Sequence, residues 1–156
     1  MSIILCSFTH FISCKSHKPP LRYPTIMHNV RWPIFFGALF TATAIMLAAL
    51  SSHALADIIL DPIRAHRFTT ALQMQQFNSL GLLLMGLALL VRPSQRLWQF
   101  AAALLGLGIL LFCGNLYLLA FMQISPAPWL TPLGGLCMIS AWLIFALGAL
   151  CARRTA

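Results

Sequence analysis

The chain has 156 residues, of which 60% are apolar and only 8% charged, with ten basic and two acidic side chains giving a net charge of +8. Soluble domains carry about 25% charged residues, so twelve charges cannot clothe a water-soluble globule of this size. The high apolar content equally excludes a disordered chain. The basic excess does not mark a nucleic-acid module, because the positive charges fall in ones and twos between apolar runs rather than along one face. An integral membrane protein remains.

Residues 1–26 differ in character from the rest of the chain. Ile3, Ile4 and Leu5 open a weak apolar patch that Ser, Thr, His and Cys interrupt, and no basic residue precedes it as a signal peptide requires. The segment ends in the basic stretch Lys15-Ser16-His17-Lys18-Pro19-Pro20. Two readings stand open: a disordered cytoplasmic tail, or an extension upstream of a true start at Met27. The membrane domain is then 27–156.

A membrane-spanning helix needs about 20 mainly apolar residues. Three stretches lack Asp, Glu, Lys and Arg: 32–56, 68–91 and 97–152, of 25, 24 and 56 residues. The last is too long for one crossing, and Pro126 and Pro128 divide it, since proline interrupts a helix. Four spans result, at about 33–56, 70–91, 97–122 and 131–152. Trp32-Pro33 places a proline in a first helical turn. Asp61-Pro62 reads as an N-cap followed by proline, which starts the second helix ahead of its span. Ser94 is the expected cap of the third helix, and Thr131-Pro132 repeats the cap-plus-proline pattern for the fourth. Strand alternation of the barrel type is absent. The predicted fold is all-α: an integral membrane four-helix bundle of antiparallel, up-and-down spans.

With four spans, the termini share a side with the loop between the second and third helices. That side carries Lys15, Lys18, Arg22, Arg31, Arg92, Arg96, Arg153 and Arg154, whereas the other carries Arg64 and Arg67. The positive-inside bias predicts both termini in the cytoplasm, with Trp32 and Trp98 at the inner interface and Trp129 at the outer one.

Four short motifs, one per helix and in order, resemble the YgdD-like family, small four-helix bacterial inner-membrane proteins of unknown function. They are Ala48-Ala49-Leu50-Ser51-Ser52-His53-Ala54-Leu55, Gln75-Gln76-Phe77-Asn78, Leu111-Phe112-Cys113-Gly114-Asn115-Leu116-Tyr117, and Thr131-Pro132-Leu133-Gly134-Gly135 with Ala141-Trp142. The resemblance covers about 27–152, or 126 residues. Both glycines of the family's first motif are replaced here, and Asn78 stands where the family has histidine. The resemblance implies the four-helix fold and an inner-membrane location, and it brings no activity.

The topology gathers polar residues at one depth in the outer half of the bundle: Ser51, Ser52 and His53, then Gln75, Asn78 and Ser79, then Asn115 and Tyr117, then Thr131. Two roles compete for them. They bond across helices and fix the bundle, or they line a small outward-facing pocket. Antiparallel neighbours joined by a short connection bring His53 level with Asn78, and a hydrogen bond from His53 to Asn78 or Gln75 is expected. No second histidine lies at membrane depth, so no metal site is expected. The five cysteines, Cys6, Cys14, Cys113, Cys137 and Cys151, form no Cys-x-x-Cys motif. Ala44, Ala48, Ser52 and Ala56 on the first helix, Ala102 and Gly106 on the third, and Gly134-Gly135 suit close helix approach. Asp57 and Asp61 are the only acids, and both lie in the outer loop, where Asp61 suits a weak pair with Arg64. A span without carboxylates does not suit ion-coupled transport.

These observations predict a non-enzymatic structural or assembly protein of the bacterial cytoplasmic membrane. It needs no cofactor and binds no nucleic acid. Its partner is the lipid bilayer, with a membrane-protein partner or a homodimer left open. The alternative is a binder or facilitator of a small neutral or lipidic molecule, acting through the polar layer.

Overall fold

The structure is a computed structural model. It describes residues 28–53, 61–124 and 127–152, with side chains over 31–51, 61–124 and 127–150. The two readings of residues 1–26 and the start at Met27 lie outside the described residues. The described residues form four helices, α1 (His28–His53), α2 (Pro62–Val91), α3 (Arg96–Phe121) and α4 (Leu130–Ala152). Each contains a stretch long and apolar enough to cross a membrane. At ~1.5 Å rise per residue, their lengths run from about 35 Å for the 23-residue α4 to about 45 Å for the 30-residue α2.

Local sequence accounts for most helix ends. Asp61 adopts an extended backbone, and the Ile63 N–H donates to its Oδ1 at 3.0 Å, with Pro62 in the first turn of α2. This is the predicted cap. Pro93 comes just after the end of α2 and prevents its continuation. Three other expectations are corrected. Pro33 lies inside α1, because the helix already begins at His28. Its ring is fully buried, so packing offsets the lost backbone bond. The cap of α3 is Gln95, not Ser94, and it makes no side-chain cap bond. A turn closed by the Gln95 N–H on the Arg92 carbonyl (3.2 Å) sets the last extended residue one position later. Thr131 lies within the first turn of α4, because Leu133 N–H already bonds to the Trp129 carbonyl at 3.1 Å.

Consecutive helices pack against each other, and α1 also touches α3. α2 and α3 form the middle of the bundle, with α1 and α4 on its flanks. The core holds Leu82, Met85 and Leu89 of α2, Ala101, Ala102 and Leu105 of α3, and Met138 and Ala141 of α4. Glycines permit close approaches of the helix backbones, Gly86 and Gly134 among them. A Cβ on Gly86 would stand 2.9 Å from the Ile34 nitrogen of α1, and one on Gly134 would stand 2.6 Å from the Phe112 nitrogen of α3. Small residues let helix backbones approach in this way when lipid supplies no hydrophobic drive between them.

The distribution of polarity is inverted relative to a soluble protein. Gln75, Asn78, Ser79 and Asn115 are at most 5% exposed, whereas Leu84, Leu110, Leu136 and Leu143 are each more than half exposed. An apolar exterior on all four helices around buried amides is the arrangement hydrocarbon favours, because a lone polar group there costs several kcal/mol. The fold is an all-α membrane four-helix bundle.

Candidate functional site: buried polar contacts and two grooves

The buried amides lie on different faces of α2. At about 100° per residue, Gln75 and Ser79 share one face, and Asn78 lies about 60° to the other side of Gln75. Gln75 faces α1 and α3. Its Nε2 donates to the Phe40 carbonyl (2.9 Å) and to Thr43 Oγ1 (2.9 Å), and its Oε1 accepts from the Tyr117 hydroxyl at 2.8 Å. One side chain thereby ties three helices. Thr43 passes its own proton to the Phe40 carbonyl at 3.0 Å. One turn along the same face, Ser79 Oγ lies 3.0 Å from Thr41 Oγ1 and donates to the Gln76 carbonyl at 3.0 Å.

Asn78 faces α4. Its Oδ1 accepts from the Trp142 indole N–H at 3.1 Å, and its Nδ2 donates to the Met74 carbonyl one turn back (2.9 Å). Trp142 also lies over Gly81 and packs on Phe77, with ring centroids 5.8 Å apart. Asn115 and Thr131 meet between α3 and α4, where Asn115 Nδ2 donates to Thr131 Oγ1 at 2.7 Å. Asn115 Oδ1 is buried and has no hydrogen-bond partner among the described residues.

The residues singled out from the sequence are therefore brought together in separate contacts rather than in one continuous layer. Gln75 and Tyr117 meet, as do Asn115 and Thr131. Asn78 joins neither pair. Ser51 bonds to the Ala48 carbonyl of its own helix (2.7 Å). His53 ends α1, and its side chain lies outside the described residues, as does that of Ser52. Sequence reasoning missed Thr41 and Thr43, which sit in the middle of α1 rather than near its end, and the indole donor of Trp142. Hydroxyls in an apolar span were the signal for the first two.

One arginine acts differently from expectation. Arg64, expected beside Asp61, donates from Nε to the Ala120 carbonyl (2.6 Å) and from Nη2 to the Phe121 carbonyl (2.8 Å). It therefore satisfies the last carbonyls of α3, which have no partner within their own helix. Trp98, in the first turn of α3, is buried. Its Nε1 donates to the Phe145 carbonyl at 3.2 Å, with the two rings 5.3 Å apart. Trp129 is exposed.

Among the described residues, two grooves lie beside these contacts. The larger, of about 540 Å³, runs between α2 and α4 and is lined by Met74, Phe77, Asn78, Phe112, Met138 and Trp142 among others. The smaller, of about 320 Å³, opens between α1 and α3, with Thr43, Gln75, Cys113, Gly114 and Tyr117 in its lining. Both have mostly apolar walls. Cys113 is a buried free thiol and Cys137 a half-buried one.

A family model described as "Protein of unknown function (DUF423)" matches residues 47–135, from the end of α1 into α4. The UPF0382 inner membrane protein YgdD of Escherichia coli K12 is 28% identical over 125 residues, which is 80% of this chain and 93% of that one. A UPF0382 membrane protein of Staphylococcus haemolyticus is 33% identical over 111 residues, covering 71% and 88% of the two chains. One from Haemophilus influenzae is 32% identical over 110 residues, covering 67% and 82%. No solved structure matches the chain.

Proposed function

The chain belongs to the DUF423 family of proteins of unknown function, and from that premise we propose that it is a multi-pass protein of the bacterial inner membrane acting without catalysis, as a structural or assembly partner of other membrane proteins. The observation that carries this reading is how the buried polar groups are used. Gln75 spends three bonds on Phe40, Thr43 and Tyr117, and Asn78, Ser79 and Asn115 bond chiefly to neighbouring helices or their own. Such contacts hold helices together, each contributing about 0.6–2 kcal/mol. The inner-membrane location is supported by the name of the Escherichia coli relative. Both termini lie in the cytoplasm in this reading, supported by eight basic residues on that side against two on the other.

The partner surface is then among the exposed apolar faces. Photo-crosslinking residues placed one per helix, at Phe35, Leu84, Leu110 and Leu143, test this in living cells. The expected result is a discrete protein adduct from one or two adjacent helices, containing one identifiable protein whose abundance or assembly falls when this chain is deleted. Adducts to lipid alone from all four positions overturn the proposal.

A further inference from the structure

We propose that the opening between α1 and α3 is a binding site for the hydroxyl end of a neutral lipid of the diacylglycerol class. Three observations converge on it, and none depends on the assembly role. The first is a glycine without a packing reason. Glycine costs roughly 1 kcal/mol against alanine inside a helix. Gly37, Gly81, Gly86, Gly108, Gly134 and Gly148 offset that cost by admitting a neighbouring helix, since a Cβ at each would collide with it. At Gly106 and Gly135 a Cβ would make only ordinary contacts at 3.7–3.9 Å, and on Gly114 it would meet nothing within 4 Å among the described residues. Gly114 lines the opening, so its missing side chain keeps that space clear rather than bringing helices together.

The second observation is the hydrogen-bond inventory of the floor. Both Gln75 Nε2 protons are taken by Phe40 and Thr43, the Thr43 proton goes to the Phe40 carbonyl, and the Tyr117 proton goes to Gln75. What remains there is lone pairs, on Gln75 Oε1, Tyr117 Oη and Thr43 Oγ1. Apart from the weak S–H donor of Cys113, the floor offers only acceptors, which selects a donor and disfavours an anion. No Asp, Glu, Lys or Arg lies in 32–56, 68–91 or 97–152, and the Arg64 guanidinium at the end of α3 is engaged by the Ala120 and Phe121 carbonyls. A free alcohol fits; a phosphate or carboxylate does not.

The third is depth. Tyr117 lies four residues before the end of α3, about 6 Å along its axis, and helical side chains lean back toward the N-terminus. The acceptors thus lie beneath the helix end that Arg64 caps. A phospholipid holds its charged head at the interface, whereas a lipid with only a hydroxyl there can sink to this level. The volume of about 320 Å³ falls within the ~300–1,000 Å³ of small-molecule sites, and the walls of Leu39, Leu47 and Leu110 suit the first methylenes of its chains.

The test uses the full chain in phosphatidylcholine nanodiscs doped with a photoreactive diacylglycerol or, at the same mole fraction, a phosphatidylcholine carrying the identical photoreactive chain. Peptide mapping is expected to place the diacylglycerol on 39–47 or 109–117 in about tenfold excess over the phospholipid, the ratio that ~1.4 kcal/mol provides. Gly114→Leu, which fills the opening, is expected to reduce the signal to the phospholipid level without lowering the unfolding midpoint. Leu110→Trp, at an exposed position on the rim, serves as the second variant and is expected to weaken labelling likewise. Equal labelling by the two lipids, which indicates chain packing alone, overturns the proposal. So does labelling that neither variant changes, or crosslinking at these peptides to a second copy of the chain.

Discussion

Gln75 has four hydrogen-bonding positions on its amide, and three of them are engaged with Phe40, Thr43 and Tyr117. Replacing it leaves the tyrosine hydroxyl in hydrocarbon without its acceptor. Gln75→Leu is therefore expected to destabilise the bundle by about 1–3 kcal/mol, and Tyr117→Phe by about 0.6–2 kcal/mol, read from unfolding midpoints in detergent. The double variant should lose less than the two single losses combined, because the bond between them is counted twice. An additive result would mean that the two side chains contribute independently. The sequence marked Gln75 and Tyr117 as notable because an amide and a phenol in an apolar run are conspicuous. It did not pair them, because pairing depends on how α2 and α3 are rotated about their axes. The same ignorance set Asn78 beside α1, where the structure turns it toward Trp142 of α4.

Helix ends carry their own energetics. α2 begins on the Asp61 carboxylate, and α3 ends on the Arg64 guanidinium, which reaches from the first turn of the neighbouring helix. The cap bond is worth about 1 kcal/mol. Each charge-assisted bond from arginine is worth about 1.5–3 kcal/mol, and a cation at a helix C-terminus also meets its dipole favourably. Arg64→Ala is accordingly expected to cost more stability than Asp61→Ala, and to raise amide hydrogen exchange at the C-terminal turn of α3 while leaving α4 protected. Exchange rising evenly over the chain would show that Arg64 does not act on that end. The cap at Asp61 was legible because a cap joins residues two apart. The clasp by Arg64 was not, since its partners lie 56 and 57 residues away.

For the molecule as a whole, orientation is the prediction that composition makes most sharply. Reporter fusions after Ala152 and within 92–96 are expected to report the cytoplasm, and a fusion beside Arg64 the opposite side. A cytoplasmic signal beside Arg64 reverses the orientation. It also places the Arg64 clasp and the Gln75–Tyr117 pair in the inner half, although the contacts themselves persist.

The sequence by itself determined that the chain is a membrane protein, that it has four apolar spans over 33–152, and where prolines and an aspartate punctuate them. These properties depend on residues near one another in the chain: runs of apolar side chains long enough to cross a bilayer, and turns that proline forces. The tertiary structure alone decided which polar groups meet, why Gly86 and Gly134 are glycines while Gly114 faces open space among the described residues, and that grooves remain beside the core. Apolar runs are uniform around their circumference, so they do not specify which face turns inward. Packing between helices resolves that rotation, because only some faces let backbones approach closely and let the buried amides find partners.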